Sequence, residues 1–288
     1  MSDVIADAVK LAKPSRLRGI GGNVSLAIGA GILVLLFAVV VLAPVLYPGD
    51  PLNMVAPALM RPGESARYIL GTDDLGRDLA AETMHGASVS LLVGTGATAI
   101  GLLIGIVVGG VGGYFGGYLD QFFARITELF QTIPSFLLVL ALVGILGPSV
   151  PVIIFAIATT SWVSVARIAR AEFRTLRERD FVLAARTLGY SPLRIVFVEI
   201  LPNAIAPISA NVSIMVAGAI LTESGLSFVG LGDPNAVSWG SMIGEGRDYL
   251  RSDWYLVGIP AAAIAFTVLG FNLVGDGLNR ALNPSLRS

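Results

Sequence analysis

Six apolar runs, each close to the length needed to cross a bilayer, dominate this chain: Val24 to Leu46, Val89 to Gly112, Leu129 to Leu146, Val150 to Ala166, Ala204 to Leu226 and Tyr255 to Leu278. A hydrocarbon core about 30 Å thick takes about 20 residues of helix, because every backbone polar group must be paired within the segment. The 288 residues are 55% hydrophobic and 14% charged, with a mean hydropathy of +0.79. The expected class is therefore an all-α polytopic membrane protein with six transmembrane helices. The first run follows Lys10, Lys13, Arg16 and Arg18 and contains Val41-Leu42-Ala43, which resembles a signal cleavage site. Its apolar stretch exceeds the roughly 7 to 15 residues of a signal core, so it reads as a retained helix.

Charge sets the orientation. With the N-terminus inside, fourteen of the 19 Lys and Arg residues fall on inner segments, and only Arg61, Arg67, Arg77, Arg247 and Arg251 on outer ones. That bias places both termini in the cytoplasm. The order is then an inner segment 1–23, a first helix 24–46, an outer loop 47–85, a five-helix region 86–279 and an inner tail 280–288. Within the five-helix region, about 171–203 form a cytoplasmic loop and about 227–254 an outer one. A net charge of -1 provides no global field for nucleic acid. The absence of Cys excludes disulfides and thiolate metal sites, and the one histidine, His85, has no carboxylate cluster in its neighbourhood of the sequence, so no metal site is expected.

The cytoplasmic loop holds a polar, Arg-rich insert from Arg177 to Asn203. Phe181, Ala184, Ala185 and Leu188 recur at helical spacing, Gly189 stands where a left-handed cap would end the helix, and Ser191-Pro192 starts another. The small Ala184 and Ala185 suit insertion into a groove of a second protein. An ordinary connecting loop is the alternative. In the second run Gly101, Gly105, Gly109 and Gly113 recur every four residues, a pattern that predicts close helix packing. Glu128, near the inner start of the third run, and Glu223, toward the outer end of the fifth, are ionisable residues that sequence places near an interface that water reaches. An ion-driven carrier, the rival reading, sets a charge or a broken helix nearer the midplane. Pro134 and Pro260 mark kinks.

The sequence holds no phosphate loop, dinucleotide fingerprint, H-E-x-x-H or G-x-S-x-G, so no catalytic residues are expected. Work done by such a chain requires a partner acting through the insert. The outer loops are acidic, and the second contains Trp239 and Met242 within a stretch suited to a short helix at the interface or over a pathway.

The insert resembles the EAA loop of ABC-importer permeases, E-A-A-x3-G-x9-I-x-L-P, at Ala184-Ala185, Gly189 and Leu201-Pro202. Leu183 stands where that family usually has Glu, and Glu199 where it has Ile. The run Gly71-Thr72-Asp73-Asp74-Leu75-Gly76-Arg77-Asp78, then Gly86 to Leu91, and the later segment Leu221 to Ile243 are similar to motifs of the dipeptide, oligopeptide and nickel permeases, C-type subunit.

The resemblance implies the type I ABC-importer permease fold over 86–279 and residence in a bacterial inner membrane. Its implied partners are a homologous second permease, two cytoplasmic ATPase subunits carrying ATP and Mg, an extracytoplasmic peptide-binding protein and the lipid bilayer. The implied coupling residues are Arg177, Arg179, Asp180, Phe181, Ala184, Ala185, Leu188, Gly189 and Pro202. Asp73, Arg77, Asp78, Trp239 and Met242 are the outer-face candidates. Peptide, nickel or another small solute fits the same motifs.

Overall fold

Two long helices cross along a stripe of bare backbone. The computed structural model describes residues 24–282; the basic N-terminal segment and residues 283–288 lie outside them. Helix α1 is Val24–Leu46, α2 is Leu79–Phe115 and α3 is Gly117–Thr132. Helices α4 and α5 are Ser135–Leu146 and Val150–Leu176. Helix α6 is Asp180–Thr187, and α7 is the single turn Pro192–Arg194, which runs through a π-helical stretch Ile195–Ile200 into α8, Leu201–Phe228. Helix α9 is Trp239–Gly246 and α10 is Tyr255–Leu282. No strand occurs among the described residues, only isolated bridges at Met54–Arg77 and Thr72–Asp78.

The glycine stripe of α2 lies against α5. A Cβ on Gly105 would sit 2.5 Å from Val165 Cβ and 2.7 Å from the Trp162 carbonyl, and one on Gly113 would sit 2.6 Å from the Arg170 carbonyl. Gly101 meets Ser161 and Gly109 meets the Ala166 carbonyl in the same way. Lipid gives no hydrophobic drive between helices, so this close contact is what holds the pair. Both helices run in the same direction, from the end carrying the 47–78 loop to the end carrying the 177–203 insert. Helix α1 packs on α10 by the same device, with Gly29, Gly270 and Gly277 at the crossing.

One expected boundary changes. Helix α2 starts at Leu79, inside the expected 47–85 loop, because Asp78 caps it by accepting from the Ala80 N–H at 2.9 Å. Its 37 residues span about 55 Å, more than any bilayer needs. The kink expected at Pro134 is present in the third apolar run, where α3 and α4 meet at an 83° bend. Helix α4, at 12 residues, rises about 18 Å and cannot cross alone. Five helices are long and apolar enough to span, and a sixth results if the bent pair is one crossing.

Candidate functional site

The insert end is assembled on the last turn of α5. Arg177 donates from Nη1 to the carbonyls of Gly113 and Tyr114, at 3.1 and 3.4 Å, where α2 runs out of its own hydrogen bonds. This side chain, expected at a contact rim, ties α2 to α5 instead. Next to it Arg170 grips Asp120 of α3 through two hydrogen bonds, one of them from Nη2 at 2.7 Å.

Helix α6 then folds back under this junction. Val182 and Ala185 are buried in a cluster with Tyr114, Phe173, Ile195, Ile200 and Ala204. Ala185, expected beside Ala184 on the contact face, thus belongs to the chain's own core, since residues 182 and 185 share a face turned roughly a quarter of the way round the helix from Phe181, Ala184 and Leu188. Those three are exposed, Leu188 at 71%, and Leu193 beyond the turn is exposed at 68%. Arg179, Asp180 and Pro202 are also exposed around them. The turn depends on Gly189, whose φ is +78° and whose successor Tyr190 donates back to the Ala185 carbonyl at 3.1 Å. This is the left-handed helix ending that glycine adopts without a Cβ clash. The two unusual positions differ: Leu183 is on the surface, whereas Glu199 is half-buried in the π-helical stretch, its carbonyl accepting from Asn203 Nδ2 at 2.7 Å. Leu193, Phe197 and Val198 extend the exposed apolar surface, and only their distance in sequence from α6 concealed that.

At the opposite end the expected outer-face side chains turn inward. Trp239 and Met242, expected at the outer surface, are buried among Leu79, Val216, Ile220, Tyr255 and Leu256. The Trp239 indole N–H donates to the Thr83 carbonyl at 2.9 Å, which fixes α9 against α2. A capping box between Ser238 and Ser241 starts α9. Asp73 accepts from the N–H groups of Leu75 and Arg77 at 2.9 and 2.6 Å and shapes the loop. Arg77 reaches Glu82 at 3.5 Å and Glu245 at 3.1 Å. Burial, opposed in part by Arg77, pushes the carboxyls of Asp73 and Glu245 above their usual range.

The ionisable residues of the spans are accounted for locally. Glu128 is exposed and pairs with Arg125 at 2.8 Å. Glu223, expected within reach of water, is 2% exposed and accepts from Ser227 Oγ at 2.8 Å. His85 Nε2 lies 2.9 Å from the Tyr47 carbonyl.

A bundle of spanning helices, a polar insert returning an apolar face to the surface, and a bent third crossing define a multi-pass membrane permease fold. The same fold occurs in a chain of the inward-facing MetNI methionine ABC transporter, with a TM-score of 0.58 over 70% of this chain and 96% of that one at 19% identity. Residues 101–288 match the family described as "Binding-protein-dependent transport system inner membrane component", and the chain belongs to it. The di/tripeptide transport permease DppC of Pseudomonas aeruginosa is 37% identical over 85% of this chain and 83% of its own length. The oligopeptide permease OppC of Bacillus subtilis is 38% identical over 77% and 73%. The dipeptide permease DppC of Escherichia coli is 38% identical over 92% and 90%.

Proposed function

We propose that this chain is the permease subunit of an ATP-driven importer of dipeptides or oligopeptides, without catalysis of its own. The observation that carries the motor is the surface of α6: Phe181, Ala184 and Leu188 stand outward from a short helix that Val182 and Ala185 anchor to the bundle. Such a helix transmits a push, because its buried side is continuous with α2, α5 and α8. The peptide substrate rests on the relatives, which are permeases of di/tripeptide, oligopeptide and dipeptide transport systems.

On this reading two cytoplasmic ATPase subunits hold ATP and Mg, and one of them receives α6. A homologous permease completes the pathway, and an extracytoplasmic binding protein delivers peptide to the loop end. Both termini and the insert face the cytoplasm. Closure of the ATPases on ATP drives the change in opening only if their affinity for α6 differs between the two states.

The test is uptake of labelled dipeptide into proteoliposomes holding the whole complex. Transport should require internal-face ATP and persist when ionophores collapse the proton and sodium gradients. Uptake by this chain alone on a proton gradient would refute the reading. Because the sequence has no Cys, single Cys residues at Thr187 and Glu64 report orientation directly: a membrane-impermeant thiol reagent should label position 64 from outside and position 187 only after permeabilisation.

A further inference from the structure

Three carboxylates from three separate elements converge at the loop end, away from the insert. Asp73 of the 47–78 loop, Glu82 of α2 and Glu245 of α9 each present an oxygen within 4.8 Å of the others. One guanidinium, Arg77, is shared among them: Nη1 is 3.1 Å from Glu245 and 3.5 Å from Glu82, and Nε is 3.7 Å from Asp73 Oδ2. That last separation is too long for a hydrogen bond. Asp73 Oδ2 and Arg77 Nε are both buried without a hydrogen-bond partner, and Asp73 is only 6% exposed. Since Oδ1 takes the two loop N–H groups, Oδ2 is the atom directed at the guanidinium that Glu82 and Glu245 also share. A cavity of about 10 Å³, lined by Asp73, Asp74, Glu82, Glu245 and Met242, adjoins them, room for one water-sized body.

Ionised, three carboxylates and one guanidinium leave two negative charges in a largely buried cluster, a costly arrangement without a counter-ion. The donors are all oxygen. Carboxylates brought together from a loop and two helices suit the flexible coordination of Ca²⁺, with oxygens at about 2.3–2.6 Å, better than the near-ideal octahedron that Mg²⁺ demands at about 2.0–2.1 Å. We propose that Asp73, Glu82 and Glu245 bind one divalent cation, preferentially Ca²⁺, beside Arg77, with water completing the shell. The ion ties the loop, the start of α2 and α9 into one unit. Supply of Ca²⁺ from outside the cell rests on the orientation proposed above; binding itself does not.

The experiment uses the full chain in its purified complex, stripped with EDTA and dialysed against radioactive Ca²⁺ at fixed pH and ionic strength. One saturable site is expected, with Kd about 0.1–1 mM, the range of extracellular calcium modules, and Mg²⁺ about tenfold weaker. Calcium should also raise the unfolding temperature. Glu245→Gln, at a half-exposed position, should weaken Ca²⁺ at least tenfold, whereas Asp248→Asn on the adjacent solvated turn should leave it unchanged. Absence of saturable binding to the folded wild-type complex overturns the proposal, whatever the variants do. Equal binding by folded Glu245→Gln does so too. Stabilisation on acidification with no response to Ca²⁺ assigns the charge balance to protons and likewise overturns it.

Discussion

At the loop end Asp73, Arg77 and Glu82 are turned inward and paired, and Trp239 and Met242 are covered, while Met54, Ile69 and Trp254 stay on the surface; at the insert end Phe181, Leu188 and Leu193 are left on the surface and Arg177 is committed to capping a neighbouring helix. The loop end is tied together by one shared arginine and a buried tryptophan. The insert end has an inner anchor and an outer face that none of the described residues covers. The difference separates a part whose stability is internal from one whose purpose lies in contact, and each half of that statement can be attacked by substitution.

The largest effect belongs to the frame that joins the ends. Gly109→Leu drives a side chain into the Ala166 carbonyl of α5, where backbone cannot give way. Overpacking of this kind costs about 3 kcal/mol or more, and the yield of monodisperse protein after detergent extraction should collapse. Gly144→Ala, which meets nothing within 4 Å, should leave it unchanged.

Next comes the loop end. Arg77→Met leaves Asp73, Glu82 and Glu245 without their shared cation, and loss of one partner from a buried ion cluster costs about 3–5 kcal/mol. Asp73 and Glu245 have raised pKa values, so the folded state binds their protons more tightly than the unfolded one. The resulting stability is fully present below the ordinary carboxylate range and is lost as pH rises through the elevated values. Thermal unfolding of Arg77→Met should therefore improve on acidification more steeply than that of wild type. A flat response would show that the end does not depend on these charges.

At the insert end the prediction has the opposite form. Leu188→Asp should leave the unfolding temperature within experimental error while reducing ATPase co-purification at least tenfold, since the side chain is exposed and a truncated interface anchor costs about 2 kcal/mol. Val182→Asp, its buried neighbour, should instead damage folding, because a carboxylate enters the core. If both variants behave alike, the division between anchor and face is wrong. The smallest effect is Gly189→Ala: space is open around it, but φ of +78° costs a Cβ about 1–2 kcal/mol, read as a modest fall in coupling efficiency.

Much of this was legible in the sequence where the signal is local. The four-residue glycine repeat predicts packing, and the structure supplies its partner, α5. Gly189 as a left-handed cap and Ser191 as the start of a new turn follow from chain stereochemistry, and both are found. The kink marked by Pro134 is found in the third apolar run, but its size, 83°, is not legible from a composition that stays apolar across it. The i, i+3, i+4, i+7 pattern put Ala184 and Ala185 together; adjacent residues on a helix are about 100° apart, and Val182 drew Ala185 to the inner side.

The sequence by itself determined that this chain crosses a membrane several times, that two of its helices meet backbone to backbone, and that a polar insert interrupts them. Each follows from hydropathy, spacing or the conformational limits of glycine and proline, all properties of neighbouring residues. Only the tertiary structure decided that Arg177 closes the end of α2, that Trp239 is a core residue, and that positions 73, 82 and 245 share one arginine. Those pairings join segments far apart along the chain, and no period or motif specifies which distant side chain will arrive opposite.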